Sequence, residues 1–224
     1  MNRRTFDALF LSAVAVTGAA LRLTRLGVPS FWLDEILGYD LATAAAKQPL
    51  WRWFHFFDPE HGPLYYATEL ATRFVHPADL SARIGPAIFG IAAILVAWVA
   101  ARAIDSHPAA AYVAPILVAV SPLEVYYSRE ARPYALVLLL TTALVAALLR
   151  GTRLWLIVAL LVLALYTTAA MAPVVMAVAI AAAAAATCFA LITIVYRPVT
   201  DVSGGTFPGV ALLLTSFSLA ALDN

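Results

Sequence analysis

The chain alternates long apolar runs with short charged joints. Leu154 to Tyr196 carries no charged residue, and Ala8–Leu21, Ile84–Ala101, Pro108–Leu123, Pro133–Leu149 and Val202–Leu222 are also uncharged. About 20 apolar residues cross a bilayer core, so the longest run holds two helices. Met171-Ala172-Pro173 divides them, because proline does not continue a helix begun upstream. The pattern predicts six to seven spans, at about 6–26, 84–104, 108–123, 133–149, 154–171, 173–196 and 205–222. The predicted fold class is all-α, a polytopic transmembrane helix bundle.

Residues 27–83 break this pattern. They hold seven of the thirteen acids, three of the five tryptophans and three of the four histidines. Gly62–Val75 is apolar enough to suggest a span but contains Glu69 and Arg73. Each charge costs roughly 2.5–3.5 kcal/mol at the centre of an inserted helix. Wound as a helix, the segment puts Tyr65, Glu69 and Arg73 on one face, and Leu64, Ala67, Ala71 and Phe74 on another. Leu33–Ala46 has the same character, with an apolar stripe of Leu33, Ile36, Leu37, Leu41 and Ala44. Both segments are predicted as juxtamembrane helices lying in the interface, within one external loop.

Composition then narrows the class. The chain is 63% hydrophobic and 12% charged, half the roughly 25% charge of a soluble domain. Fourteen Lys and Arg against thirteen Asp and Glu give no basic excess, which excludes nucleic acid as a partner. A single cysteine, Cys188, excludes a disulfide framework. Arg3-Arg4-Thr5-Phe6 resembles a twin-arginine signal, but a chain apolar throughout favours a retained first span with the arginine pair in the cytoplasm. Arg102, Arg150, Arg153 and Arg197 then share that side by the positive-inside tendency, and residues 27–83 and 124–132 face outside together.

Two charged clusters meet at that outer boundary. One is Ser30-Phe31-Trp32-Leu33-Asp34-Glu35, followed by Asp58-Pro59-Glu60-His61-Gly62-Pro63-Leu64-Tyr65-Tyr66. The other runs Ser121-Pro122-Leu123-Glu124-Val125-Tyr126-Tyr127-Ser128-Arg129-Glu130-Ala131-Arg132-Pro133-Tyr134. A carboxylate takes a proton from an attacking hydroxyl. Arginines grip a phosphate and offset charge on a phosphate leaving group. Sugar transfer from a lipid phosphate needs these parts and no nucleotide-binding domain, and neither G-x-G-x-x-G nor a P-loop occurs.

Each motif also has a plain structural reading. Asp34 and Glu35 suit a helix N-terminus, Arg129 and Arg132 suit snorkelling to head groups, and the Trp and Tyr residues suit an interfacial belt. The four histidines lack metal-ligand spacing, so no metal residues are predicted.

In this order the motifs resemble the membrane glycosyltransferases of the GT-C class, over roughly residues 5–170. The likeness is to the bacterial relatives of protein O-mannosyltransferases and lipid A aminoarabinose transferases. Trp32-Leu33-Asp34-Glu35 resembles the acidic motif of their first external loop. Glu60-His61-Gly62-Pro63-Leu64-Tyr65-Tyr66, with Ser81-Ala82-Arg83 after it, resembles their Glu-Lys/His-Pro-Pro-Leu-Tyr-Tyr element and the Ser-Ala-Arg beyond. Ser121-Pro122 and Tyr127-Ser128-Arg129-Glu130-Ala131-Arg132-Pro133-Tyr134-Ala135-Leu136 resemble Ser-Pro…Tyr-Ser-x-x-Ala-Arg-x-Tyr-Ala-Leu. Gly62 departs from the family proline, and Tyr166-Thr167-Thr168 replaces a Thr-His-Tyr-like element.

The resemblance implies an inverting transfer from a polyprenyl-phosphate-linked sugar to a hydroxyl of a lipid, glycan or protein acceptor. It places the site on the external face of a bacterial cytoplasmic membrane. Asp34 is the implied general base and Glu35 its partner. Glu60, His61, Arg129, Arg132 and Tyr127 are the implied carrier-phosphate site. Some members of the class use a divalent cation, and nothing in this sequence requires one. Family members continue for several hundred residues more, so the chain corresponds to their N-terminal half. That observation motivates a second reading, a non-catalytic membrane module that binds lipid phosphate or assembles with a partner subunit. A transporter is a third reading, disfavoured because the charges lie at the ends of spans.

Overall fold

The computed structural model describes residues 2–49, 52, 62–104, 109–168 and 171–203, with side chains through residue 191 except 189. Among these residues every regular element is a helix. In chain order they are α1 (Arg3–Leu23), α2 (Leu33–Ala46), α3 (Pro63–Thr72), α4 (Ala78–Ala101), α5 (Ala110–Val120), α6 (Pro122–Tyr127), α7 (Tyr134–Leu149), α8 (Leu154–Thr167) and α9 (Ala172–Ser203). Residues up to Met171 form one compact unit. In the second unit the described segment is α9, an alanine-rich helix whose described side chains are nearly all exposed.

Among the described residues two helices, α1 and α4, are long and apolar enough to cross a membrane. At 1.5 Å per residue, α5, α7 and α8 come to roughly 16–24 Å, short of the ~30 Å hydrocarbon layer. The predicted run at 108–123 divides between α5 and α6, because Ser121 caps a new turn and Pro122 opens it. The expected span at 205–222 lies outside the described residues.

The centre of the first unit is α4, packed against α1, α5 and α7. Close approach is possible because its inward face is small: Ala82, Gly85, Ala87, Gly90, Ala93 and Ala97 are all buried. Leu136 and Leu140 of α7 pack on Ala164 of α8 and Met171, with Phe89 and Leu64 alongside. A smaller cluster joins α2 to α3 through Ala42, Ala45, Tyr65 and Tyr66.

The distribution of polarity has two unusual features, buried charges and exposed large apolar side chains. Arg22, Glu35, Glu69, Arg83, Glu130 and Arg132 are buried, while Leu9, Val16, Leu154 and Trp155 lie outside at 60% exposure or more. Helix α1 is buried over only 11% of its apolar window, unlike the core helix of a soluble fold. Several charged side chains are thus buried among a mostly apolar core, while large apolar side chains face outward.

The two ends of the bundle differ. At one, Arg102 Nη1 donates to Asp7 Oδ2 at 2.7 Å and the Tyr112 hydroxyl donates to Asp7 Oδ1 at 2.9 Å. Phe6, Phe10, Trp98 and Tyr112 interlock around this pair. The other end gathers α2, α3, α6 and the residues that follow α6, which carry the candidate chemistry.

Candidate functional site

Helix α2 begins where expected because the first turn satisfies its own donors. Glu35 Oε2 accepts the Trp32 N–H at 3.4 Å, and Asp34 and Glu35 face the positive end of the helix dipole. The predicted period holds, but its direction is outward: Leu33, Ile36 and Leu37 are exposed, whereas Glu35, Gly38, Ala42 and Ala45 face the bundle. Helix α3 buries Tyr65 and Glu69 but also packs Leu64 against the core, while Arg73 and Phe74, beyond its end, are exposed.

Glu35 and Asp34, adjacent in sequence, have opposite surroundings. Glu35 is fully buried and forked on Arg83, whose Nε donates to Oε1 at 2.8 Å and Nη2 to Oε2 at 2.5 Å. The remaining Arg83 donors hold the Pro29 and Ser30 carbonyls, and its guanidinium lies 5.3 Å from the Phe31 ring centroid. The Ala131 N–H also donates to Glu35 Oε1, at 2.8 Å. With four donors on two oxygens, Glu35 is a tie-point.

Asp34 is 39% exposed and paired with Arg132, whose Nη1 donates to Oδ2 at 2.5 Å. Arg132 is itself 7% exposed, held between the rings of Trp32 at 5.8 Å and Tyr134 at 5.1 Å. Its Nη2 donates to the Tyr134 hydroxyl at 2.8 Å. Tyr127 meets Tyr134 edge-on at 4.7 Å, so it braces the ring that braces Arg132. The arrangement presents one half-exposed carboxylate beside one oriented guanidinium.

Arg129 points elsewhere. Its Nη1 donates to the Leu21 carbonyl at 3.1 Å, and it lines a groove of about 540 Å³ with Trp32, Tyr126 and Glu130. Leu26, Pro29, Pro122 and Val125 supply the apolar part of the lining. The volume is that of a small-molecule site, typically about 300–1,000 Å³. Glu60 and His61 lie outside the described residues. Among the described residues no three His, Cys, Asp or Glu side chains gather as metal ligands.

Two arginines without an expected role organise this end. Arg83 was legible only as part of Ser81-Ala82-Arg83. Arg22 carried no signal beyond its place after an uncharged run, yet it is fully buried. It donates to the Val118 and Ala119 carbonyls at 2.8 and 2.9 Å, satisfying the C-terminus of α5, and to Ser128 Oγ at 3.2 Å. Gly18 and Gly90 leave room for it: a Cβ at Gly90 would lie 2.7 Å from Arg22 Nε.

Tyr65 completes the assembly by donating from its hydroxyl to the Ala131 carbonyl at 2.7 Å. Ala131 is thus held by its N–H on Glu35 and by its C=O on Tyr65. The three motifs, spread over residues 32–136, each send a residue to this alanine or contain it: Glu35, Tyr65 and Ala131 itself. No family model, curated protein or solved structure matches the chain. The functional reading therefore rests on these residues and their geometry.

Proposed function

We propose that the chain is a multi-pass membrane glycosyltransferase module of GT-C type, taking its sugar from a polyprenyl-phosphate donor. The observation that carries the reading is the Asp34–Arg132 pair: an accessible carboxylate held beside a guanidinium fixed between two rings. Asp34 takes the proton of an acceptor hydroxyl as that oxygen forms a bond to the anomeric carbon. The bond from that carbon to the phosphate oxygen breaks from the opposite face, and polyprenyl phosphate leaves with the electron pair. Arg132 offsets the charge gained by the phosphate. The groove beside Arg129 takes the carrier's first apolar units. Glu35 and Arg83, which line the same groove, position these groups.

Further support comes from the exposed large apolar side chains of the bundle and from the outward apolar stripe of α2. Both suit a site at a bilayer surface, in a bundle of six to seven spans in a bacterial cytoplasmic membrane with its site outside. The test measures donor binding and sugar transfer in detergent with a short-chain polyprenyl-phosphate sugar. Asp34→Asn keeps donor binding and lowers transfer by about 10²–10⁴-fold, the usual loss of a general base. Arg132→Ala weakens donor binding by about 1.5–3 kcal/mol, the worth of a charged hydrogen bond. Full transfer by Asp34→Asn ends the assignment. Donor binding without transfer in the wild-type chain favours the non-catalytic module.

A further inference from the structure

A second groove, of about 320 Å³, runs between α1 and α5, and nothing above uses it. Phe10, Val14 and Thr17 line one wall and Ile116, Ala119 and Val120 the other. Its only polar side chain is Thr17, whose hydroxyl donates to the Ala13 carbonyl at 2.9 Å. A helix that stops as early as α5 leaves its last carbonyls to be satisfied. Here the Leu117 carbonyl accepts the Ser121 N–H, and the Val118 and Ala119 carbonyls accept from Arg22. The wall therefore stays apolar to its end, and hydrocarbon is the chemistry that matches it.

The two grooves follow one seam. Phe10, Val14, Thr17 and Leu21 recur every three to four residues and so share a face of α1. Leu21, about 6 Å beyond Thr17 along the axis, is the residue whose carbonyl Arg129 holds, and Arg129 lines the first groove. On the facing wall, Val120 of the second groove is two residues from Pro122 of the first. We infer that the groove between α1 and α5 holds the lipid carrier's hydrocarbon chain beyond its first units. This rests on the proposed function, which puts those first units beside Arg129. A single track between two helices suits one chain per head group, as a polyprenyl phosphate has, better than the paired chains of a diacyl lipid. A docked helix, about 10–12 Å across, needs a wider trough. Because the surrounding lipid is as apolar as the groove, what the carrier gains is contact and register, not escape from water.

The test therefore reads position, by photo-crosslinking the full chain in phospholipid bicelles. The probe is a polyprenyl phosphate with a diazirine on an isoprene unit a few places from the phosphate. The label is expected on Phe10–Thr17 and Ile116–Val120, and unlabelled polyprenyl phosphate displaces it. Thr17→Phe, which fills the groove from an exposed position, removes the label. Val16→Phe, also exposed but outside the groove, keeps it. Where Thr17→Phe does not fold, Ala13→Leu fills the same space. Label that survives both filling variants, or that a diazirine-bearing phosphatidylcholine gives equally, overturns the inference. So does a disulfide-linked dimer of Val14→Cys in a Cys188→Ser background, which puts a second copy on this face. A probe with its diazirine on the first isoprene unit separates the two failures. Label beside Arg129 but none between α1 and α5 overturns this inference alone, and label in neither groove refutes the proposed function with it.

Discussion

Glu35 and Arg83 form a forked, buried ion pair across 48 residues of sequence, at 2.8 and 2.5 Å, with 0% and 4% of the side chains exposed. Breaking such a pair from one side strands a buried charge, which costs about 3–5 kcal/mol. Glu35→Gln is expected to lose stability on that scale in thermal unfolding. At the opposite end, Arg102 is 39% exposed on its partner Asp7. Arg102→Gln should lose no more than about 1 kcal/mol, as solvent screens that pair. Equal losses in the two variants would contradict the assignment of Glu35 as the tie-point.

Gly90 is expected to resist even alanine. An added Cβ would meet Ser128 Oγ at 2.1 Å and Arg22 Nε at 2.7 Å, and both of those groups are buried. Overpacking of this kind costs about 1–3 kcal/mol. A Gly90→Ala melting temperature equal to that of the wild type would show that Arg22 has another place to go. Gly85, whose added Cβ finds only contacts of 3.9 Å and beyond, is the control.

The stability of the chain should fall as pH rises from about 4.5 to about 8. Glu69 sits at about 8 in the fold against an ordinary 4.5, chiefly through burial. Between these values the unfolded chain gives up a proton that the folded chain keeps, so the slope is negative there and level above. Glu69→Gln removes this contribution, and denaturant titrations at pH 5, 7 and 9 should show a flatter profile. An unchanged profile would place the titration elsewhere.

Contacts from α2 and α3 to the residues after α6 put all three at one end of the bundle. In a Cys188→Ser background, cysteines at Lys47 and Tyr126 should both react with a membrane-impermeant thiol reagent from the same side of sealed vesicles. Reaction from opposite sides would break the proposed topology.

Helix periods were legible in the sequence, and directions were not. Leu33–Ala46 stands with the bounds read from its pattern, because Glu35 and Trp32 fix its start locally. Which face turns inward depends on Arg83, far along the chain, which draws Glu35 into the bundle and sends Leu33 and Leu37 out. Placing both charged clusters at one boundary put Asp34 and Arg132 at the same end. Their pairing was not legible, because it depends on the rings of Trp32 and Tyr134 that hold Arg132. The separation of Arg129 from that pair was not legible either, since it depends on where α1 ends and exposes the Leu21 carbonyl. Arg22 was invisible for a related reason: the space that admits it is an absence of side chain, at Gly18 and Gly90.

The outward stripe of α2 also gives the candidate base an elevation. Leu33, Ile36 and Leu37 flank Asp34 within one turn, so in the membrane setting proposed above α2 would float on hydrocarbon like a buoy with Asp34 at its waterline. How deeply the stripe sinks determines the height of the carboxylate above the acyl chains. A donor anchored in the same sheet of lipid arrives at that height without search. A soluble sugar phosphate bearing an identical head would have to find it from three dimensions, and under the proposed function lipid thickness becomes a variable of the reaction.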